Sequence, residues 1–229
     1  MPLEISKENI NGVAALENPV SRRAYELVIE EAWVSREQAA TTLKLARSVA
    51  TFHLEKLVTA GLLIVRYERL TGKRGPGAGR PTKLYGRSDR EFALSLPSRR
   101  YDFAGSLLAD AITRAKSDGT PIGSAVAQVA RETGQNVGFK NSVNSDSSRT
   151  KRALIDVLEK HGYEPKQSES QITMLNCPFD NLAEKYRDLV CGMNFEFISG
   201  VVDGIGASKS FSTRLLPESG FCCVRLDAQ

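Results

Sequence analysis

The 229-residue sequence predicts a mixed α+β chain built in three parts, and three observations lead there. Three apolar stripes at helical spacing crowd into the first sixty residues, and the period then switches to two around a glycine-rich basic stretch. Two longer helical stripes follow, with a Ser/Asn-rich segment behind them. Strand-like and helical patterns then alternate through the last third, which carries all four cysteines. The composition, 41% apolar and 25% charged with a mean hydropathy of -0.27, is that of an ordinary globular chain. No run approaches the length of about 18 apolar residues that a membrane span needs. The opening MPLEISKENINGVAALENPV is polar and mixed in charge and lacks the basic start and apolar centre of a secretory signal, so a cytoplasmic location is expected.

Residues 1–17 are read as an N-terminal arm. From Pro19, the residues Ala24, Leu27, Val28 and Ala32 recur at helical spacing, which predicts a helix over 19–32. Ser35 with Gln38 three residues on is a capping-box pattern ahead of Ala39, Ala40 and Leu43, so a helix of about two turns should end near Lys44. A third helix is predicted over 46–60, with Ala50, Leu54, Leu57 and Val58 on one face and Gly61 where a left-handed cap belongs. Residues 62–70 then alternate with β-rich types, and 82–87 can pair back across TGKRGPGAGRP as a second strand. Helix, short helix, helix and basic hairpin describe a winged helix-turn-helix over residues 18–95.

Charge is distributed to match. Residues 1–100 hold 17 Lys/Arg against 11 Asp/Glu, a balance of +6, whereas residues 101–229 hold 14 against 16, a balance of -2. Between 66 and 87 there are seven bases (Arg66, Arg69, Lys73, Arg74, Arg80, Lys83, Arg87) and one acid, Glu68. Such a block points to a polyanion partner. A helix fits the B-form major groove, and a cationic glycine-rich tip can follow phosphates or enter the minor groove. The third helix offers Arg47, Ser48, Thr51 and Glu55 opposite its apolar face, with Lys56 at its flank. The candidate contacts to double-stranded DNA are Lys44, Arg47, Ser48, Thr51 and Lys56, with Lys73, Arg74 and Arg80 from the tip. Glycines 72, 75, 77 and 79 leave the tip room to approach. His53 is read as a packed residue, and a protein-interaction module is the alternative for the segment as a whole.

The stretch SREQAATTLKLARSVATFHLEKLVTAGLL followed by GPGAGRPTKLY resembles the ArsR-like and SufR-type winged-helix regulators of bacteria. HLxKLxxxGLL and GRPxKLY carry the likeness.

After Pro97 the residues Tyr101, Ala104, Leu107, Leu108, Ala111 and Ile112 form an apolar stripe, and Ile122, Val126, Val129 and Ala130 form another before Gly134. These faces must be covered, either by the same helices of a second copy or by the C-terminal domain. The second copy is expected, because two recognition helices one duplex turn apart read a near-palindromic operator. Residues 96–149 are therefore read as a helical connector of a homodimer, with 136–150 as an exposed polar loop.

Residues 150–229 read as an α+β domain with a helix at 152–161, a strand at 171–175, a helical stretch from Phe179 and a final strand that includes Cys222 and Cys223. Clustered thiols in an intracellular chain point to metal or redox chemistry, with buried structural cysteines as the alternative. On one straight helix Cys177 and Cys191 would stand roughly 20 Å apart. A shared site therefore requires a break, for which Gly192 offers a place. Adjacent residues on a strand face opposite ways, which favours three converging thiols over four. No paired CxxC is present.

The pieces NCPFDNLAEKYRDLVCGMN and LLPESGFCCVRL resemble the C-terminal half of SufR-type regulators and their actinobacterial relatives, in which cysteines hold an iron-sulfur cluster that controls DNA binding. The resemblance implies Cys177, Cys191 and one or both of Cys222 and Cys223 as ligands of an iron-sulfur cluster, with zinc the alternative metal. The chain departs from that pattern at Asp180 and Tyr186, where relatives carry histidines, and His161, a water or an effector is left to complete the shell. The expected function is a cytoplasmic, homodimeric transcriptional regulator, acting as a repressor, whose operator binding is controlled by the cluster. The alternative is a regulator that responds to a small organic ligand while its cysteines merely pack. Catalysis is not expected, since the chain has two histidines and no G-x-S-x-G, HExxH, P-loop or CxxC.

Overall fold

The computed structural model describes residues 6–69, 80–142, 147–218 and 220–229, and these form a mixed α+β chain with two small antiparallel sheets. The chain divides into two compact units, residues 1–94 and 95–229.

In the first unit, residues assigned from sequence to an arm form helix α1 (Lys7–Ala15), capped by Ser6, whose Oγ accepts from Asn9 N at 3.0 Å. Only Gly12 and Ala15 of α1 are buried, too thin a stripe to read as a helix from sequence. Asn18 caps α2 (Pro19–Glu31) by accepting from Val20 and Ser21, and Pro19 occupies the first turn, where its missing N–H leaves nothing unpaired. Ala24, Leu27 and Val28 are buried as expected, but Ala32 lies beyond the helix with φ of 62°. A short strand that the sequence reading missed, β1 (Trp33–Ser35), comes next. The capping box forms at α3 (Arg36–Leu43), with Gln38 N donating to Ser35 Oγ at 3.2 Å and Ser35 N donating to Gln38 Oε1 at 2.8 Å. Helix α4 (Arg47–Thr59) ends where Gly61 takes φ of 78°, with Gly61 N donating to Val58 O and Leu62 N to Leu57 O, a Schellman ending. Strands β2 (Leu63–Glu68) and β3 (Thr82–Arg87) are antiparallel from Leu63↔Arg87 to Glu68↔Thr82, and the sheet order is β1-β3-β2. The core of this unit is Ala24, Leu27, Val28, Ala39, Ala50, Leu54, Leu57, Leu63 and Tyr85 with their neighbours.

In the second unit, α5 (Tyr101–Asp118), α6 (Ile122–Lys140) and α7 (Ser147–Lys160) precede β4 (Pro165–Gln167), β5 (Gln171–Met174), α8 (Asp180–Lys185), α9 (Arg187–Gly204), β6 (Phe211–Leu215) and β7 (Val224–Ala228). The sheet order is β4-β5-β7-β6, antiparallel throughout. Two expectations are corrected here. Of the residues expected as a polar loop, 136–140 continue α6 and 147–150 open α7. The middle stripes are also covered within the unit itself: Ala104, Leu107 and Ala111 of α5 and Val126, Val129 and Ala130 of α6 share one core with Leu154, Phe197, Ile198 and Val201. Burial against the C-terminal elements, rather than against a second copy, satisfies most of both faces. Among the described residues no helix is long and apolar enough to cross a membrane.

Helix α6 persists through two glycines because their missing side chains let α9 come into backbone contact. A Cβ on Gly134 would stand 2.1 Å from Phe197 O and one on Gly138 2.5 Å from Val201 O. Reciprocally, a Cβ on Gly200 would lie 2.2 Å from Arg131 O and one on Gly204 2.2 Å from Gln135 O. Arg131 locks the flank by pairing with Glu196 at 3.0 Å and Asp203 at 2.6 Å. Gly200→Ala should therefore lower stability by about 1–3 kcal/mol or more, since the partner is rigid backbone. Gly105→Ala, on the exposed side of α5 where an added Cβ meets nothing described within 4 Å, should raise it by up to about 1 kcal/mol. Urea midpoints of the two variants check this contrast. Equal effects would contradict the close-contact account.

Candidate functional sites

Helix α4 turns Ala50, His53, Leu54 and Leu57 into the core and leaves Arg47, Ser48, Val49, Phe52 and Lys56 exposed. Lys44 precedes it in a left-handed conformation, exposed at the end of α3. The sequence-predicted contact residues Lys44, Arg47, Ser48 and Lys56 are thus all exposed. Arg47 is engaged by Glu37. Thr51 is half-buried and its Oγ1 donates to Arg47 O at 2.8 Å, which turns its hydroxyl to its own helix. Glu55 accepts from Lys83 Nζ and, at 2.6 Å, from the fully buried Tyr85 hydroxyl, so this carboxylate latches α4 to β3. His53 is buried and hydrogen-bonded to Ser21 Oγ at 2.9 Å, with its pKa lowered by desolvation and by Lys56, as suits a packed histidine. Arg80 is exposed just before β3, and Arg66 lies over the Trp33 ring at 4.0 Å. Lys73, Arg74 and the tip glycines at 72, 75, 77 and 79 lie outside the described residues.

The Glu55 carboxyl is held below its usual range, first by the hydrogen bond from Lys83 and then by that from Tyr85. A carboxyl whose pKa is depressed by folding stabilises the fold above its unfolded value and loses that contribution as pH falls through the folded one. With the side chain 42% exposed, the contribution is at most about 1 kcal/mol. Glu55→Gln is therefore expected to destabilise the protein modestly at pH 7, and the difference from the unsubstituted protein should shrink as pH falls below the ordinary carboxylate range, as urea titrations across acid pH would reveal.

The thiols are assembled by sheet topology. Strands β5 and β7 are antiparallel neighbours, with Thr173 opposite Arg225, so the chain leaving β5 and the chain entering β7 meet at one end of the sheet. Cys177 lies three residues beyond β5, and Cys222 and Cys223 lie immediately before β7, with Cys222 N donating to Met174 O at 2.9 Å. Because β7 begins at Val224, the adjacent cysteines are not on the strand and the rule of opposite faces does not separate them. The helical stretch breaks at Tyr186 (φ -129°, ψ 49°), not at Gly192, and Cys191 sits in the second turn of α9. All four thiols are free.

The thiols neighbour one another in a row, Cys177 beside Cys222, Cys222 beside Cys223, and Cys223 beside Cys191, so that each perturbs the ionisation of the next. Cys177 is pushed far up, first by its bond with Cys222 and then by burial. Cys223 rises to about 12, chiefly through its bond with Cys191. Cys222 also reaches about 12, since its bond with Cys177 lowers it but the bond with Cys223 and burial outweigh that. Cys191 is lowered by its bond with Cys223, helped by Arg187.

Two buried groups that the sequence reading gave no role complete the site. Asn194 Nδ2 donates to Cys222 Sγ at 3.2 Å, and its Oδ1 accepts from the Tyr163 hydroxyl; Tyr163 and Asn194 are each 1% exposed. On the other side Asn176 holds the Cys177 loop, donating to Ser98 O at 2.9 Å and Gly162 O at 2.7 Å and accepting from Arg99 at 2.6 Å. The piece NCPFDNLAEKYRDLVCGMN that carries the resemblance ends on Asn194, and its place one helical turn from Cys191 is the available signal. His161 shares a hydrogen bond with Val157 O at 2.8 Å and packs beside Phe103 and Phe197.

Thiol donors suit iron-sulfur clusters and zinc alike. Among the described residues no three His, Cys, Asp or Glu side chains surround a point where a metal ion could sit, so the row must open to hold one. Neither protein-family models, nor characterised proteins, nor solved structures yield a match to this chain.

Removing the Asn194 amide strands the Tyr163 hydroxyl in the core. Asn194→Leu should lose about 1–3 kcal/mol. Adding Tyr163→Phe should restore part of that, a non-additivity that a double-mutant cycle in urea would measure; strict additivity would contradict the link.

Proposed function

We propose that this chain is a DNA-binding transcriptional regulator whose first unit is a winged helix-turn-helix and whose thiol row senses a metal, an iron-sulfur cluster or redox state. The observation that carries the DNA half is α4 itself, with one face in the core and Arg47, Ser48 and Lys56 outward. It stands in a unit of sheet order β1-β3-β2 whose β2–β3 connection bears Lys73 and Arg74 in sequence. A helix of this kind suits a major groove, and the bases of the connection suit phosphates. The +6 balance of residues 1–100 supports a polyanion partner over a neutral one.

The sensing half rests on the row. Cys177, Cys191, Cys222 and Cys223 would hold the cluster, which when bound supplies one-electron redox chemistry. This chain's own contribution is the placement of the sulfurs by the β5 and β7 loops and α9, and the Asn194 N–H aimed at Cys222. Taking up metal requires the thiols to lose their protons and part from one another, so occupancy and local shape are linked. Operator affinity and cluster occupancy are then reciprocally coupled. A homodimer on a near-palindromic site, repression and a cytoplasmic location belong to the same proposal, the dimer resting on operator geometry alone.

Anaerobically prepared protein should contain iron and acid-labile sulfide and be brown, and Cys191→Ser should abolish both. A duplex selected from a random pool should bind with and without cluster at affinities differing by about 5- to 150-fold. Iron-free protein under these conditions, or equal affinities, would remove the sensing half. Failure to retain any duplex would remove the DNA half.

A further inference from the structure

The outward face of α4 is not uniformly polar. Phe52 is 64% exposed and Val49 40%, one helical turn apart on the same face, while Ala50, Leu54 and Leu57 behind them are wholly buried. Neither side chain is needed to fill the core of its unit, and neither belongs to that core. They are bordered on α4 by Ser48 and Lys56, both exposed, while Lys44 and Arg47 are exposed at the N-terminal end of the helix, Arg47 paired with Glu37. Polar reading groups are scarce between them, because Thr51 spends its hydroxyl on Arg47 O and Glu55 is taken by Lys83 and Tyr85.

An apolar pair framed by cations calls for an anionic surface that offers apolar points. The major groove presents one apolar group on base edges, the thymine 5-methyl, to which Phe and other small or flat apolar side chains pack. A second copy of the same face is disfavoured by charge, since a two-fold contact would bring the bases Lys44, Arg47 and Lys56 of one copy near the same set of bases on the other. We propose that Val49 and Phe52 are specificity-determining residues that read thymine methyl groups, so that the sites bound by this chain carry thymine at the positions beneath them. This rests on the reading that α4 enters a major groove.

The test uses the full chain and a pool of random 20-bp duplexes. The duplex enriched by repeated selection is resynthesised with deoxyuridine replacing thymidine one position at a time, which removes the methyl and nothing else. Binding by the unsubstituted protein should weaken about four-fold for each methyl contacted. Phe52→Ala should lose affinity for the thymidine duplex and lose its sensitivity to deoxyuridine at one position, while its urea midpoint stays near that of the parent because the side chain is exposed. Val49→Ala should do the same at a neighbouring position. Enrichment of a duplex whose binding is indifferent to deoxyuridine everywhere would overturn this inference and leave DNA binding intact. Failure to enrich any duplex would overturn both. A change of oligomeric size in Phe52→Ala, with deoxyuridine sensitivity unaltered, would assign the face to contact between copies and also overturn it.

Discussion

The backbone contact between α6 and α9 is the constraint on which the second unit depends. Glycines 134 and 138 face α9, glycines 200 and 204 face α6, and no side chain on either partner separates the two backbones at those points. A contact of this kind leaves α9 little freedom to rotate, because any turn would drive a Cβ into a carbonyl. Arg131, paired with Glu196 and Asp203, fixes the same relation from the flank. Rotation of α9 decides where Cys191 and Asn194 point, so the thiol row inherits its geometry from glycines that are not its neighbours in sequence, Gly134 and Gly138 on another helix among them. Buried packing is transmitted rather than absorbed in an interior this dense.

The other half of the row is set by hydrogen bonding between strands. The pairing of β5 with β7 brings two loops to one end of the sheet, and Asn176 and Arg99 then hold the first of these loops in place. One side of the row therefore sits on a helix fixed by close packing, and the other on loops fixed by polar contacts. Loops are the softer support. A change in what the sulfurs hold should move Cys177 and the Cys222–Cys223 segment more readily than Cys191.

Local signals made the first unit legible. Ser35 with Gln38, Pro19 at a helix start and Gly61 at a helix end each act within four residues, and each does in the structure what its chemistry dictates. Helix α1 and strand β1 escaped because two buried residues and three residues respectively give no period to detect. In the middle of the chain, periodicity identified which faces of α5 and α6 are buried but not what covers them, since a stripe carries no address. The thiol site was misread in two particulars. The final strand, expected over FCCVRLDA, starts three residues later at Val224, which frees Cys222 and Cys223 from opposite faces, and the break for which Gly192 offered a place falls at Tyr186. That one glycine is spare while others are indispensable depends on α6, a partner the local sequence does not announce.

The account as a whole turns on four sulfurs, far apart in the chain, forming one contiguous row. Mild oxidation of the metal-free protein with a thiol-specific diazene, followed by peptide mapping under non-reducing conditions, tests that directly. Disulfides joining Cys177 to Cys222 and Cys191 to Cys223 within a single chain are the predicted products. Four cysteines that remain free to alkylation, or disulfides formed only between separate chains, would contradict it.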